Sequence, residues 1–210
     1  TSVAEEAAIF PCVMAWAATM LKQAGHEVTW QDGPTEGLQW GRQLRQLKEL
    51  KPDLVCWEVK TPSAKRAYMA VNALKQALPA TSVVLVWDHV TALPNEPERP
   101  QTGVFVITGG DYDFGLLRLV RSLDAGSNEW TLGFDTVIHQ PTTTPLTALP
   151  VIDRTLCKWS LYSRMGNYLY RPGTHGYSAR DCWWRHAGGC TFCSWTNTFK
   201  NYRQLSVNQF

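Results

Sequence analysis

The stretch PDLVCWEVKTPSAKRAYMAVNALKQALPATSVVLVW, residues 52–87, decides the fold. Asp53 to Val59 is a nearly continuous apolar run of strand length, and Thr81 to Trp87 is a second. Between them Thr61-Pro62-Ser63 is a loop and cap, leading into a helix to Leu78 that Pro79 terminates. The pattern repeats downstream. After the polar loop Asp88 to Gln101, Gly103 to Thr108 is a further strand, and Gly109-Gly110 opens a helix over Asp113 to Leu123. Strand, helix and strand in alternation predict an α/β domain, a Rossmann-like, flavodoxin-type parallel sheet with helices on both faces. Such sheets bind ligands at the carboxyl ends of their strands. Here those ends carry Thr61-Pro62-Ser63, Asp88 to Pro94 and Gly109 to Phe114.

Upstream, Cys12 to Ala24 reads as a helix ended by Gly25, where a left-handed residue is wanted. His26 to Trp30 is predicted as a short strand turned by Asp32-Gly33. Trp40 to Leu50 is amphipathic through Leu44, Leu47 and Leu50, and Pro52 stops it. A domain of this type usually begins with a strand, whereas Thr1 to Phe10 is short and acidic, so the first strand is expected to be missing. At the other end Ser206 to Gln209 has capping-box spacing. The segment 139–150, rich in threonine and proline, is the natural linker. The expected organisation is therefore an α/β domain over 1–138, the linker 139–150, and the start of a second domain over 151–210.

Composition excludes several classes. A formal net charge of +2, from 20 basic and 18 acidic residues, gives no reason to expect nucleic acid or an anionic membrane as partner. The 44% hydrophobic fraction is that of a globular chain. Ala7 to Leu21 is apolar, yet it follows Glu5 and Glu6 rather than a basic segment and is too short to span a bilayer. A cytoplasmic protein is expected. Most of the ten tryptophans should be core or cleft-lining residues.

The cysteines are spread unevenly. Cys12, Cys56 and Cys157 stand alone and read as ordinary buried thiols, while Cys182, Cys190 and Cys193 form C-x7-C-x2-C. Three readings fit that cluster: buried thiols, a zinc site completed by His186, or ligands of an iron–sulfur cluster. Two thiolates three residues apart can hold one centre from a single loop. A third, from a glycine-containing segment, leaves one iron of a four-iron cluster without a protein ligand. Gly188 and Gly189 would let the backbone approach the sulfides.

The loop Gly189-Cys190-Thr191-Phe192-Cys193-Ser194-Trp195 resembles the cluster loop of radical S-adenosylmethionine enzymes that carry an N-terminal cobalamin domain. The segments 21–33 (LKQAGHEVTWQDG), 52–63 (PDLVCWEVKTPS), 89–94 (HVTALP) and 110–117 (GDYDFGLL) look like that domain, in the family's order. The departure is the first cysteine spacing, x7 where the usual motif has x3. The resemblance implies a cobalamin-binding domain followed by the truncated start of a radical SAM barrel. It implies a four-iron four-sulfur cluster on Cys182, Cys190 and Cys193, S-adenosylmethionine on the open iron beside Phe192, and cobalamin. It also implies an electron donor such as flavodoxin or ferredoxin, a small-molecule or peptide substrate, and methyl transfer or related radical chemistry.

No Asp-x-His-x-x-Gly loop is present, so no histidine of this domain is expected to ligate cobalt. Candidate cobalamin contacts at the strand ends are Thr61, Ser63, His89, Thr91, Gly110 and Asp111. Each has a plainer reading. His89 is a surface-loop histidine, Asp111 and Asp113 cap the next helix, Thr61 and Ser63 cap theirs, and Trp57 and Trp87 belong to the core. The rival function is a non-catalytic cobalamin-fold binding module with a structural zinc loop.

Overall fold

The computed structural model describes residues 10–96, 103–126, 137–141 and 144–164, and two short strands further on. Four strands, β1 (Leu54–Glu58), β2 (Ser82–Val86), β3 (Val104–Thr108) and β4 (Val137–His139), form one sheet in the order β1-β2-β3-β4. Every pair is parallel, with Val55 opposite Val83, Val83 opposite Val104 and Val106 opposite Val137. The fold is therefore a Rossmann-like α/β sheet, as the alternation of residues 52–123 predicts.

The helices are α1 (Cys12–Gln23), the single turn α2 (Gly33–Glu36), α3 (Trp40–Leu50), α4 (Ala64–Ala77), α5 (Asp88–Ala92), α6 (Tyr112–Asp124) and α7 (Trp159–Arg164). Strand side chains alternate between faces, so the valine-rich runs bury both. Val83, Leu85, Val104 and Val106 pack against Ala67, Val71 and Leu74 of α4 and Leu47 of α3. Val84, Val86, Phe105 and Ile107 face the other way, against Tyr112, Leu116 and Leu119 of α6 and Ala17 of α1. Leu74, Leu85, Ile107 and Leu119 are wholly buried. Each such side chain contributes roughly 1.5–3 kcal/mol relative to exposure.

A third cluster joins Phe10, Trp16 and Trp30 to Ile152, Cys157 and Tyr162. Polar contacts reinforce it. Trp16 Nε1 donates to Pro150 O at 3.0 Å, Asp153 N donates to Thr19 Oγ1 at 3.0 Å, and Tyr162 OH donates to Asp32 Oδ2 at 2.5 Å. Lys22 pairs with Asp153 at 2.7 Å, and Lys158 with Glu36. Beyond these, β5 (Trp184–Arg185) and β6 (Arg203–Gln204) pair antiparallel.

Several local expectations are corrected. His26 to Trp30 is not a strand, because a strand exists only through a ladder to a neighbour; Val28 and Trp30 pack into the third cluster instead. Asp88 to Ala92, expected within a polar loop, is the helical turn α5. Strand β4 has no counterpart in the sequence reading, its three residues being too short for periodicity to register. Cys12 is disulfide-bonded rather than an ordinary thiol, whereas Cys56 and Cys157 are free. Ser206 to Gln209 lies outside the described residues. Among the described residues no helix is long and apolar enough to cross a membrane.

Candidate functional site

The carboxyl ends of β1, β2 and β3 are gathered around α5. Its backbone is placed by the strands: Val59 N donates to Val86 O at 3.0 Å, and His89 N reaches Asp88 Oδ1 at 2.7 Å and Val59 O at 3.4 Å. The turn into α5 passes through Trp87, whose φ of 91° and ψ of −167° lie in a region that side chains rarely adopt.

From α5 two side chains reach in opposite directions. The His89 ring, 5% exposed, meets Thr61 Oγ1 through Nδ1 at 3.2 Å and Glu96 Oε2 through Nε2 at 2.8 Å. The bond from His89 holds the Glu96 carboxyl below its ordinary range. Thr91 Oγ1 donates to Trp87 O at 2.6 Å and accepts from Gly109 N at 3.0 Å, which ties the β3 end to α5. Gly109 has no alternative there. Its φ is +99°, and a Cβ would stand 2.7 Å from Gln140 O.

Below this layer the buried Tyr112 meets the partly buried Glu58. Tyr112 OH donates to Glu58 Oε1, and the Tyr112 ring meets Trp87 edge-on with centroids 5.8 Å apart. Burial raises the Glu58 carboxyl above its ordinary range, the Tyr112 bond pulling the other way. Burial, then the charge of Glu58, pushes the Tyr112 phenol well up. Burial likewise raises the Cys56 thiol, with Glu58 adding to it, and drives Cys157 up to about 12. Neither cysteine has the depressed acidity of a reactive thiolate. At the β4 end, Thr108 Oγ1 and His139 Nδ1 lie 2.7 Å apart.

The candidates named from sequence fall as follows. Thr61 is exposed at the rim and hydrogen-bonded to His89 rather than capping a helix. Ser63 stands at the N-cap of α4 but makes no cap bond; its hydroxyl donates to Lys60 O at 3.1 Å. His89 is buried, not a surface-loop residue, because Tyr68 and the β1 end enclose it, the Tyr68 ring centroid 6.1 Å from its own. Gly110 and Asp111 are buried at the β3 end. Asp111 makes no side-chain cap bond to α6, whereas Asp113 Oδ1 accepts from Phe114 N at 3.0 Å. Trp57 and Trp87 pack, partly buried, against the two faces of the core. Cys182, His186, Cys190, Phe192 and Cys193 lie outside the described residues. Among the described residues no group of three or more His, Cys, Asp or Glu side chains is placed to hold a metal ion.

Glu58, Glu96 and Tyr112 are site residues that pattern reading misses. Glu58 does carry a signal: it is the lone charge inside an otherwise apolar strand. Glu96 carries none, since an acid in a polar loop is ordinary. No family model matches this chain, and no curated protein or solved structure matches it either.

Proposed function

We propose that this chain belongs to a cobalamin-dependent radical S-adenosylmethionine enzyme: an α/β cobalamin domain followed by the cluster-bearing start of the radical domain. The observation that carries the reading is the strand-end shelf, where hydrogen bonds through α5 draw Thr61, His89, Thr91 and Gly109 to one sheet edge. That edge is where open parallel sheets take ligands. The C-x7-C-x2-C loop, with its Gly-Cys-Thr-Phe-Cys sequence, supports the second half of the reading.

Around α5 the donor set fits a cobalamin whose cobalt is not ligated by His89. Both ring nitrogens of His89 are occupied by Thr61 and Glu96, so neither is available to an outside metal. When bound, the cluster, S-adenosylmethionine and cobalamin would supply the radical and methyl-transfer chemistry. The chain's own residues bind and orient. Thr61 offers an exposed hydroxyl at the rim, and Thr91 holds the 109–110 turn against α5.

The test is anaerobic purification with metal analysis and hydroxocobalamin titration. About four irons with matching sulfide per chain are expected, lost when Cys190 and Cys193 are replaced by alanine. Bound cob(II)alamin should show no nitrogen superhyperfine splitting from a protein histidine. One zinc per chain in place of iron, with no cobalamin uptake, would sink the proposal.

A further inference from the structure

We propose that His89 and Glu96 are positioning residues that act through Thr61, turning its hydroxyl into an outward-facing acceptor for an N–H donor of the primary-amide class. The inference rests on reading the strand-end shelf as a ligand site, and it names which ligand chemistry that site prefers.

A carboxylate only accepts hydrogen bonds, so the His89 nitrogen 2.8 Å from Glu96 Oε2 carries the hydrogen. In the neutral ring the other nitrogen then holds a bare lone pair. Thr61 Oγ1 lies 3.2 Å from that nitrogen, so while the ring is neutral the hydroxyl is the group that donates. A threonine hydroxyl has one hydrogen and two lone pairs. With its hydrogen directed inward at a buried ring, only lone pairs face outward from the exposed Thr61. An unconstrained rim hydroxyl could offer either polarity. This one offers an acceptor, which favours amide N–H groups and disfavours carbonyl or phosphate oxygens, whose lone pairs would meet its own.

The surroundings reinforce the arrangement. Glu96 is held ionised by the His89 bond, with contributions from Tyr68 and the charge of Lys65. Asp88 Oδ1 accepts from the His89 backbone N–H at 2.7 Å, while the ring nitrogens meet Thr61 and Glu96. The side chains thus divide the labour: Thr61 touches ligand, His89 fixes the polarity of Thr61, and Glu96 fixes the tautomer of His89.

The test uses the 210-residue chain, its T61V, E96Q and T61V/E96Q variants, ¹⁵N-histidine NMR and hydroxocobalamin, whose corrin rim carries primary amides. In mildly alkaline, ligand-free solution His89 should show a protonated Nε2 and an unprotonated Nδ1. T61V should move the Nδ1 resonance alone, and E96Q should mix the tautomers. T61V should weaken hydroxocobalamin binding roughly two- to tenfold, E96Q by less, and the double variant no more than T61V. A protonated Nδ1 in the free chain overturns the inference whatever cobalamin does. So do losses that simply add in the double variant, or binding unchanged by T61V. If the parent chain takes up no hydroxocobalamin, the cofactor reading fails, and the tautomer measurement alone decides the relay.

Discussion

Among the described residues, Trp87 has a backbone conformation that side chains rarely adopt. At φ 91° and ψ −167° it occupies a region that glycine fills readily and side chains almost never do. The chain leaves β2 at Val86 and enters α5 at Asp88, so a single residue absorbs the whole change of direction that delivers His89 and Thr91 to the strand ends. Replacing Trp87 by alanine and by glycine separates this strain from packing. Both variants lose the indole that meets Tyr112 edge-on, and they differ only in the Cβ. A residue held in such a region costs on the order of 1–3 kcal/mol. Glycine carries an entropic handicap of roughly 0.5–1 kcal/mol against alanine at ordinary positions. Trp87→Gly should therefore be the more stable of the two, by about 1 kcal/mol. That corresponds to roughly 2–4 °C in Tm for a chain of this size. Urea unfolding at a fixed temperature, followed by far-ultraviolet circular dichroism, reads the difference directly. Ser82, at the start of β2, provides the control, where alanine should lead glycine. If Trp87→Ala equals or exceeds Trp87→Gly in stability, the strain argument is wrong.

Gly109→Ala should be costly for a related reason with a second cause, since its Cβ would add a 2.7 Å approach to Gln140 O to the positive φ; a denaturant-midpoint loss exceeding about 2 kcal/mol is expected, and a neutral result would refute it. Glu58 gives a pH dependence. Its folded pKa is raised, so its contribution to stability is full below the ordinary carboxylate range and falls away as pH rises through the folded value. Glu58→Gln should therefore gain stability relative to the parent as pH is raised from acid to neutral, and parallel stability–pH curves for the two proteins would count against it. Asp153, beside Lys22 and Thr155, titrates the opposite way. Its pKa is lowered to about 2, so the small stability it adds is present above the unfolded value of 3.8 and lost as pH falls through about 2; Asp153→Asn should be slightly less stable than the parent at neutral pH, the gap closing as pH falls from 3.8 to about 2.

Much of the architecture was legible because its causes are local. Pro52, Pro79 and the glycine pair 109–110 punctuate runs whose apolar period is visible without coordinates, and β1, α4, β2, β3 and α6 lie within a residue or two of the expected bounds. Even the helix ended by Gly25 follows from one residue's freedom at φ +97°. Strand status is different, since it belongs to a pair. His26 to Trp30 has a strand's composition but no ladder partner, while the three residues of β4 are a strand only because β3 lies beside them.

The site divides along the same line. That ligand chemistry would gather at Thr61, His89, Thr91 and the 109–111 turn is readable from sequence, because the ends of parallel strands point one way in any such sheet. What each residue does there is not. His89 passes for a surface-loop histidine until Thr61, 28 positions upstream, and Glu96, seven downstream, are seen on its two nitrogens. Glu58 looks like an interruption in a strand until Tyr112, 54 positions away, is seen to donate to it. Period, breaks and turn chemistry are properties of neighbours along the chain. Hydrogen-bond direction, burial of a charge and strain at Trp87 come from groups that meet only when the sheet closes.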